Sequence, residues 1–148
     1  MSENERAFLM FYMEQTWEEM RHIETLRERL TIIVVTIATA TVGFVMQQKY
    51  APETYPLAYL VIALGIFGYL GSLKLFQIHQ MGQRRLEKWY RHLLGEEGEA
   101  AKILEIRDEA DKENNKQFPI ISTVRHNYLW ATIHILIIIA GIFLMQKY

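Results

Sequence analysis

Residues 30–46 read LTIIVVTIATATVGFVM, and residues 57–73 read LAYLVIALGIFGYLGSL. Neither stretch contains a charged side chain, and a third uncharged stretch follows at residues 127–146. At about 1.5 Å per helical residue, each stretch crosses or nearly crosses a hydrocarbon layer about 30 Å thick. The sequence therefore predicts an all-α integral membrane protein with three transmembrane helices.

The remaining residues form polar segments around these spans. They are too few for a soluble domain of ordinary size. Pro52 and Pro56 lie in a ten-residue connection, so the first two spans should form an antiparallel hairpin. The predicted segments are a cytoplasmic amphipathic helix at 1–29, a transmembrane hairpin at 30–78 with spans 30–46 and 57–78, a cytoplasmic helical layer at 79–126, and a third transmembrane helix at 127–146.

Lysine and arginine are unevenly distributed between the two sides of these spans. Four arginines precede the first span and nine basic residues lie between the second and third, whereas the opposite side carries only Lys49 and Lys147. By the positive-inside rule we expect the N-terminus and the long loop in the cytoplasm and the C-terminus outside. The predicted location is the cell inner membrane, which the chain crosses several times.

The composition argues against several functional classes. A formal net charge of -1 is unlike that of strongly basic nucleic-acid-binding proteins, so we expect no direct DNA binding. Cysteine is absent, which excludes disulfides and thiol chemistry. No cluster of His, Asp and Glu has metal-ligand spacing, and no serine lies in a nucleophile motif. We therefore expect no catalytic residue, no metal site and no cofactor.

The segment before the first span has apolar residues at spacings of three and four, which predicts an amphipathic helix. No proline or glycine separates it from the first span, so one continuous helix of about 65 Å is expected. Its apolar residues have two interpretations. They pack on the chain's own loop helix or the lipid surface, or they form a contact between subunits. The residues assigned to such an oligomer contact are Phe8, Met13, Trp17 and Met20.

Small residues in the first two spans predict close helix packing, because they let helix backbones approach each other in lipid. In the first span they occur four apart, and in the second span glycines recur every three residues. Pore lining is the alternative for the threonines of the first span. The predicted packing residues are Thr36, Thr39, Ala40, Gly43, Gly65, Gly68, Gly71 and Ser72.

Two ionisable residues are candidates for a pore or a switch. Lys74 follows the second uncharged stretch, where it either extends to the lipid headgroups or lines a pore mouth that favours anions. His134 lies inside the third span, and an ionisable residue at membrane depth marks a functional site by default. A hydrogen bond from His134 to a neighbouring helix is the structural alternative.

Arg85 and His92 are separated by six residues. This spacing resembles the Arg-x4-6-His signature of HEPN ribonucleases, in which the pair acts on an RNA phosphate across a dimer. Leu86 stands where that family usually has a polar residue. The resemblance implies a membrane-bound ribonuclease as a third functional alternative.

The membrane-proximal segment contains Tyr12-Met-Glu, Met20-Arg-His-Ile and Leu26-Arg-Glu-Arg-Leu, followed by a Thr/Ala-rich span and a short hairpin. This layout, over roughly residues 1–80, resembles small bacterial membrane effectors of phage defence. These are the SLATT-type effectors, the RipA-like octameric membrane proteins and the membrane accessories of RNA-guided nucleases. They typically have two spans, and this chain has three. The resemblance implies a homo-oligomer whose cytoplasmic helices receive a signal and whose spans then compromise the inner membrane.

We therefore expect a homo-oligomeric membrane effector of a bacterial defence system, pore-forming or membrane-depolarising, that is triggered through its cytoplasmic helices. The expected partners are the lipid bilayer, further copies of the chain, and a soluble signalling or nuclease partner. The alternative is a membrane anchor or scaffold that docks a soluble partner and uses its spans only for attachment.

Overall fold

The computed structural model describes residues 2–94, 99–117 and 126–148. These residues are 94% helical and contain no strand, which confirms the all-α prediction. Three of the helices are long and apolar enough to cross a membrane. The elements in chain order are α1 (Glu3–Gln47), a short 3-10 helix (Pro52–Thr54), α2 (Tyr55–Leu94), α3 (Glu99–Gln117) and α4 (His126–Met145).

Helix α1 runs without interruption for 45 residues, as the absence of helix-breaking residues predicts. Its start is capped by Ser2, whose backbone N–H donates to Glu5 Oε2 at 2.7 Å and whose hydroxyl accepts from the Glu5 backbone N–H at 3.3 Å. This reciprocal pair satisfies donors that the first helical turn leaves free. The first predicted span is therefore the second half of a helix that begins in the polar N-terminal segment.

The connection between α1 and α2 turns the chain within a few residues. Lys49 and Tyr50 have positive φ angles of 49° and 59°, the left-handed conformation that commonly ends a helix. Pro56 is the second residue of α2, where its missing N–H costs no intrahelical bond. Helix α2 then continues beyond the predicted second span for 40 residues in all, to Leu94.

Parts of the segment predicted as a cytoplasmic helical layer, residues 95–98 and 118–125, lie outside the described residues. The third span itself corresponds to α4, which ends at Met145. Helix α3 lies within the segment predicted as the cytoplasmic helical layer at 79–126.

The chain divides into two compact units. The first consists of Met1–Ile23 and Ile78–Arg125, and the second of Glu24–Gln77 and His126–Tyr148. In the first unit the core joins α1 to α2 through Met13, Met20, Leu86 and the residues around them. In the second unit the buried apolar cluster consists of Ala38, Val45, Ala58, Val61 and Leu144.

The second unit is a bundle of the membrane segments of α1, α2 and α4. In the contacts between α1 and α4 the residue numbers increase in the same direction, because Arg27 pairs with Trp130 and Thr31 pairs with His134. These two helices are therefore parallel. Contacts between α2 and α4 run in opposite order, because Gly68 lies at His134 and Ile62 lies at Gly141. Helix α2 is therefore antiparallel to both.

Candidate functional site

Four polar side chains are buried in the second unit, from three residues before the first span into the spans themselves, and together we call them the polar layer. All three helices contribute to it. Arg27 and Thr31 come from α1, Ser72 from α2 and His134 from α4. The exposed fraction is 7% for Arg27 and 0% for His134. Because buried polar groups are costly unless they are hydrogen-bonded, the contacts of these four side chains define the site.

The Arg27 side chain is held by α2 and α4. Its Nε–H donates to Ser72 Oγ at 2.8 Å. Its guanidinium carbon lies 5.6 Å from the ring centres of both Phe76 and Trp130. A cation at this distance from an aromatic face is attracted by the ring by about 0.5–2 kcal/mol. The layer therefore contains a permanent positive charge at the junction of three helices.

Thr31 and His134 form the next turn of the layer. The Thr31 hydroxyl donates to the Arg27 carbonyl oxygen at 3.0 Å, and its oxygen lies 3.3 Å from His134 Nε2. A hydroxyl has one proton, so the bond to the carbonyl requires that Nε2–H donates to Thr31. The bonding pattern therefore places a proton on His134 Nε2. Nδ1 is buried and has no hydrogen-bond partner among the described residues.

The glycines of α2 determine how closely the other helices approach it. A Cβ atom at Gly68 would contact Nδ1 and Cε1 of His134, and one at Gly71 would lie 2.7 Å from Leu30 Cδ2. A Cβ at Gly65 would lie 3.0 Å from the Ile138 backbone nitrogen. The structure therefore places all three predicted glycines in contacts within the bundle. Ser72, predicted only as a packing residue, also accepts the Arg27 bond.

The structure uses a different face of the first span from the predicted one. Thr36, Thr39, Ala40 and Gly43 are exposed, and a Cβ at Gly43 would meet nothing within 4 Å. Their predicted packing is therefore wrong within this chain, because α2 and α4 pack on another side of α1. That they pack against another molecule stays a prediction. The buried residues of this span are Thr31, Val34, Ala38 and Val45.

Two of the predicted oligomer contacts need correction. Met13 and Met20 are buried in the core of the first unit, where they pack with Leu86, so they are not available to another subunit. This placement favours the alternative interpretation for these two residues. Phe8, with 64% of its surface exposed, and Trp17, also exposed, remain available for a contact between copies.

The other predicted residues lie outside the polar layer. Lys74 is exposed and its Nζ donates to Gln77 Oε1 at 3.1 Å. Arg85 and His92 are exposed and two helical turns apart on α2, and Arg85 Nη2 lies 3.7 Å from Met81 Sδ. An RNA-cleaving role for this pair stays a prediction. The described residues contain no group of three or more potential metal ligands.

Arg27 is a site residue that the sequence did not predict, because its charge was used only to infer the orientation in the membrane. A signal was present, because Arg27 precedes Thr31, Val34 and Ala38 by four, seven and eleven residues. Those intervals place all four on one helix face. The positions of Phe76 and Trp130 on the other two helices had no such signal.

The chain was compared with models of protein families, with curated proteins and with solved structures, and none of them matched it. The functional proposals therefore rest on the residues and geometry described above.

Proposed function

We propose that this chain is a homo-oligomeric membrane effector that raises the ionic permeability of the membrane when its cytoplasmic helices receive a trigger. The polar layer is the observation that carries this proposal. Ionisable residues inside membrane segments are costly and mark ion pathways, relays or binding sites more often than attachment. A chain that only needed anchoring could fill the same position with apolar residues at no desolvation cost.

The bundle opens, in this proposal, by separation of its helices. In the bundle, Arg27, Ser72 and Thr31 are shielded from water by close helix packing. If α4 separates from α1 and α2, these groups become hydrated and line an aqueous path. Hydration would then offset the loss of apolar contacts, which is why a polar layer favours a bundle with two arrangements.

Exposed residues support association between copies. Phe8 and Trp17 lie on the surface of the first unit, and the Thr36 to Gly43 face of the first span is also exposed. Aromatic anchors suit a contact outside the membrane, and small residues suit close packing inside it. The bacterial defence setting rests on the layout that resembles SLATT-type and RipA-like proteins.

The effector proposal is tested by membrane potential. Cells that express the chain together with its trigger system should depolarise and stop growing, because the opened layer conducts ions. A potential-sensitive dye and growth curves provide the measurement, and cells with the trigger system alone are the control. An unchanged potential with normal growth would rule the effector out.

We also propose an orientation. The N-terminus and residues 79–126 lie in the cytoplasm, the C-terminus lies outside, and the membrane is the cell inner membrane. The positive-inside distribution of arginine and lysine supports it.

The natural absence of cysteine makes this orientation easy to test. In intact spheroplasts a membrane-impermeant maleimide should label Gln146→Cys and leave Asn4→Cys unlabelled. Both original side chains are exposed, so neither substitution disturbs packing. After lysis both variants should react, which is the control for thiol accessibility. Labelling of Asn4→Cys before lysis would reverse the proposed topology.

An open apolar groove favours a second candidate function, that of a membrane anchor which docks a soluble partner. The groove lies in the first unit and has a volume of about 680 Å³. Its aromatic and apolar lining would suit an amphipathic helix of such a partner. The lining residues include Met10, Phe11, Trp17, Tyr90 and Leu93.

A further inference from the structure

We propose that the outer face of α1 in one copy binds the outer face of α2 in the next copy, with Glu14 opposite Lys88 and Glu18 opposite Arg84. This inference rests on the proposed function, because it names the surfaces through which copies of the effector associate. Three observations carry it: the charges of the two faces, the level at which these charges lie, and the register that they favour.

The two faces lie on opposite sides of the helix pair in the first unit. The contact between the helices buries Met13 and Met20 on α1 and Leu86 on α2. On the far side of each helix, exposed residues follow one another at spacings of three and four, which places them on one face. We call these sets the α1 row, Phe11, Glu14, Glu18 and Arg21, and the α2 row, Met81, Arg84, Lys88 and Arg91.

The two rows carry opposite charges that are not used within the chain. No ion pair joins the two glutamates of the α1 row, or Arg84 and Lys88 of the α2 row, to another of the described residues. Arg91 differs, because its Nη2 lies 2.8 Å from Glu87 Oε1 on the same helix. An acidic face and a basic face on one unit can therefore attract each other only between copies.

Contacts inside the first unit show which residues of the two helices lie at the same level. The ring centres of Tyr12 and Trp89 are 6.2 Å apart. Eight residues further along α1, a Cβ at Gly82 would lie 2.8 Å from Met20 Cγ. The residue numbers change in opposite directions, so α1 and α2 are antiparallel here. Met20 and Gly82 define one shared level.

The glutamates and the basic residues lie at matching levels. Counting from the shared level, two residues back on α1 and two forward on α2 lead to Glu18 and Arg84, and six each way lead to Glu14 and Lys88. Copies with one orientation in a membrane are related by rotation about the membrane normal, which leaves the level of each residue unchanged. The α1 row of one copy therefore meets the α2 row of the next in a head-to-tail contact, as in a ring.

The charges also select this register over its neighbours. If the rows were shifted by one heptad in one direction, Arg21 would face Lys88, and the two positive charges would repel each other. A shift in the other direction would place Glu14 opposite Met81, where it has no basic partner. In the proposed register Arg21 faces Met81 and no like charges of the two rows face each other. Such a penalty on wrong pairings gives a contact its specificity.

Apolar side chains beside the charges supply the contact area. Ion pairs at a protein surface each contribute little affinity, so they define the partner and the register more than the strength. Phe11 in the α1 row is 54% exposed, and Trp17 beside this row is 46% exposed. Because the membrane holds the copies in one plane and one orientation, a contact of moderate strength is sufficient.

The absence of cysteine permits a direct test by cross-linking. Two full-length chains with different tags, one with Glu18→Cys and one with Arg84→Cys, are expressed together, and their membranes are oxidised. We expect a disulfide-linked dimer that contains both tags, because the two positions face each other between copies. No trigger is needed, since both original side chains are already exposed in the structure.

Two controls accompany this experiment. Each variant alone should give no dimer, because a head-to-tail contact does not bring two copies of the same position together. Phe11→Cys expressed with Arg84→Cys should also give none, since these positions lie two helical turns apart in the proposed register. Cross-linking of this second pair instead of the first would overturn the register.

Charge reversal tests whether the charges maintain the contact. The variant Glu14→Lys/Glu18→Lys should lose the complexes of several copies, as measured by the mass of the detergent-solubilised protein. Adding Arg84→Glu/Lys88→Glu to it exchanges the charges of both faces and should restore the complexes. This recovery would also show that the first variant had folded. Failure of the fourfold variant to recover would overturn the role of the charges.

The outcomes separate this contact from the proposed function. Wild-type complexes of several copies without the Glu18–Arg84 cross-link would overturn the contact and leave the effector proposal in place. A cross-linked assembly that never depolarises triggered cells would keep the contact and overturn the effector. A chain that exists as single copies in the membrane would overturn both.

Discussion

Replacing Gly65 or Gly141 by alanine should each destabilise the membrane bundle by about 1–3 kcal/mol, the usual cost of overpacking a tight core. A Cβ at Gly65 would lie 2.6 Å from Ile138 Cγ1 and 3.0 Å from the Ile138 backbone nitrogen. A Cβ at Gly141 would lie 2.6 Å from Ile62 Cγ1 and 3.0 Å from the Ile62 backbone nitrogen. A side chain can rotate away from a new methyl group, but a helix backbone cannot, so α2 and α4 must separate.

Gly43→Ala is the matched control, because the same change occurs in a membrane helix where a Cβ meets nothing within 4 Å. It should be neutral or stabilise the chain by up to about 1 kcal/mol, since alanine favours helix over glycine. Unfolding in detergent can be followed by tryptophan fluorescence, with Trp130 reporting from α4. Equal effects of Gly65→Ala and Gly43→Ala would contradict the packing described here. If Gly43→Ala alone lowered the free energy of unfolding, Gly43 would lie in a contact with another copy of the chain.

The sequence predicts the features of this fold that are properties of a single helix. Uncharged stretches of sufficient length predicted three spans, and the lack of breakers before Gly43 predicted a continuous α1. The spans follow from local composition and the thickness of a bilayer, and the continuity of α1 follows from local composition alone. Neither prediction needed the positions of neighbouring helices. The regular spacing of Gly65, Gly68 and Gly71 also indicated a contact face on α2.

Single members of the polar layer had a sequence signal, but their assembly into one layer could not be predicted, because it depends on how three helices are rotated against each other. Small residues occur on every side of the first span, so Thr36 and Thr39 were as plausible a packing face as Thr31. Which side is buried is decided by α4, whose His134 contacts Thr31. Arg27 joins the layer only because Phe76 and Trp130 face it from two other helices.

Gly68→Ala should destabilise the bundle and abolish triggered depolarisation, because the new methyl group would occupy the space of the His134 ring. The ring has little freedom to move, since it is completely buried and its Nε2 is bonded to Thr31. The expected cost is about 1–3 kcal/mol. Detergent unfolding and membrane potential should both report the loss.

A double-mutant cycle identifies the contact. His134→Ala alone should also destabilise the bundle, because it leaves a cavity. In Gly68→Ala/His134→Ala the methyl group no longer meets a ring, so the combined cost should fall below the sum of the single costs by about 0.5–3 kcal/mol. Strict additivity would show that Gly68 and His134 do not touch.

The variant Gly68→Leu distinguishes an effector from an anchor. Leucine is apolar, so the variant should still insert into the membrane, which fractionation and the thiol-labelling pattern of Gln146→Cys can verify. An effector depends on the packing of α4 against α1 and α2, and Gly68→Leu should therefore remove its activity although the chain remains in the membrane. An anchor depends only on attachment and on its first unit, to which Gly68 does not belong. If the inserted Gly68→Leu chain still supports the full activity of the system to which it belongs, the bundle is only an attachment and the anchor is the correct function.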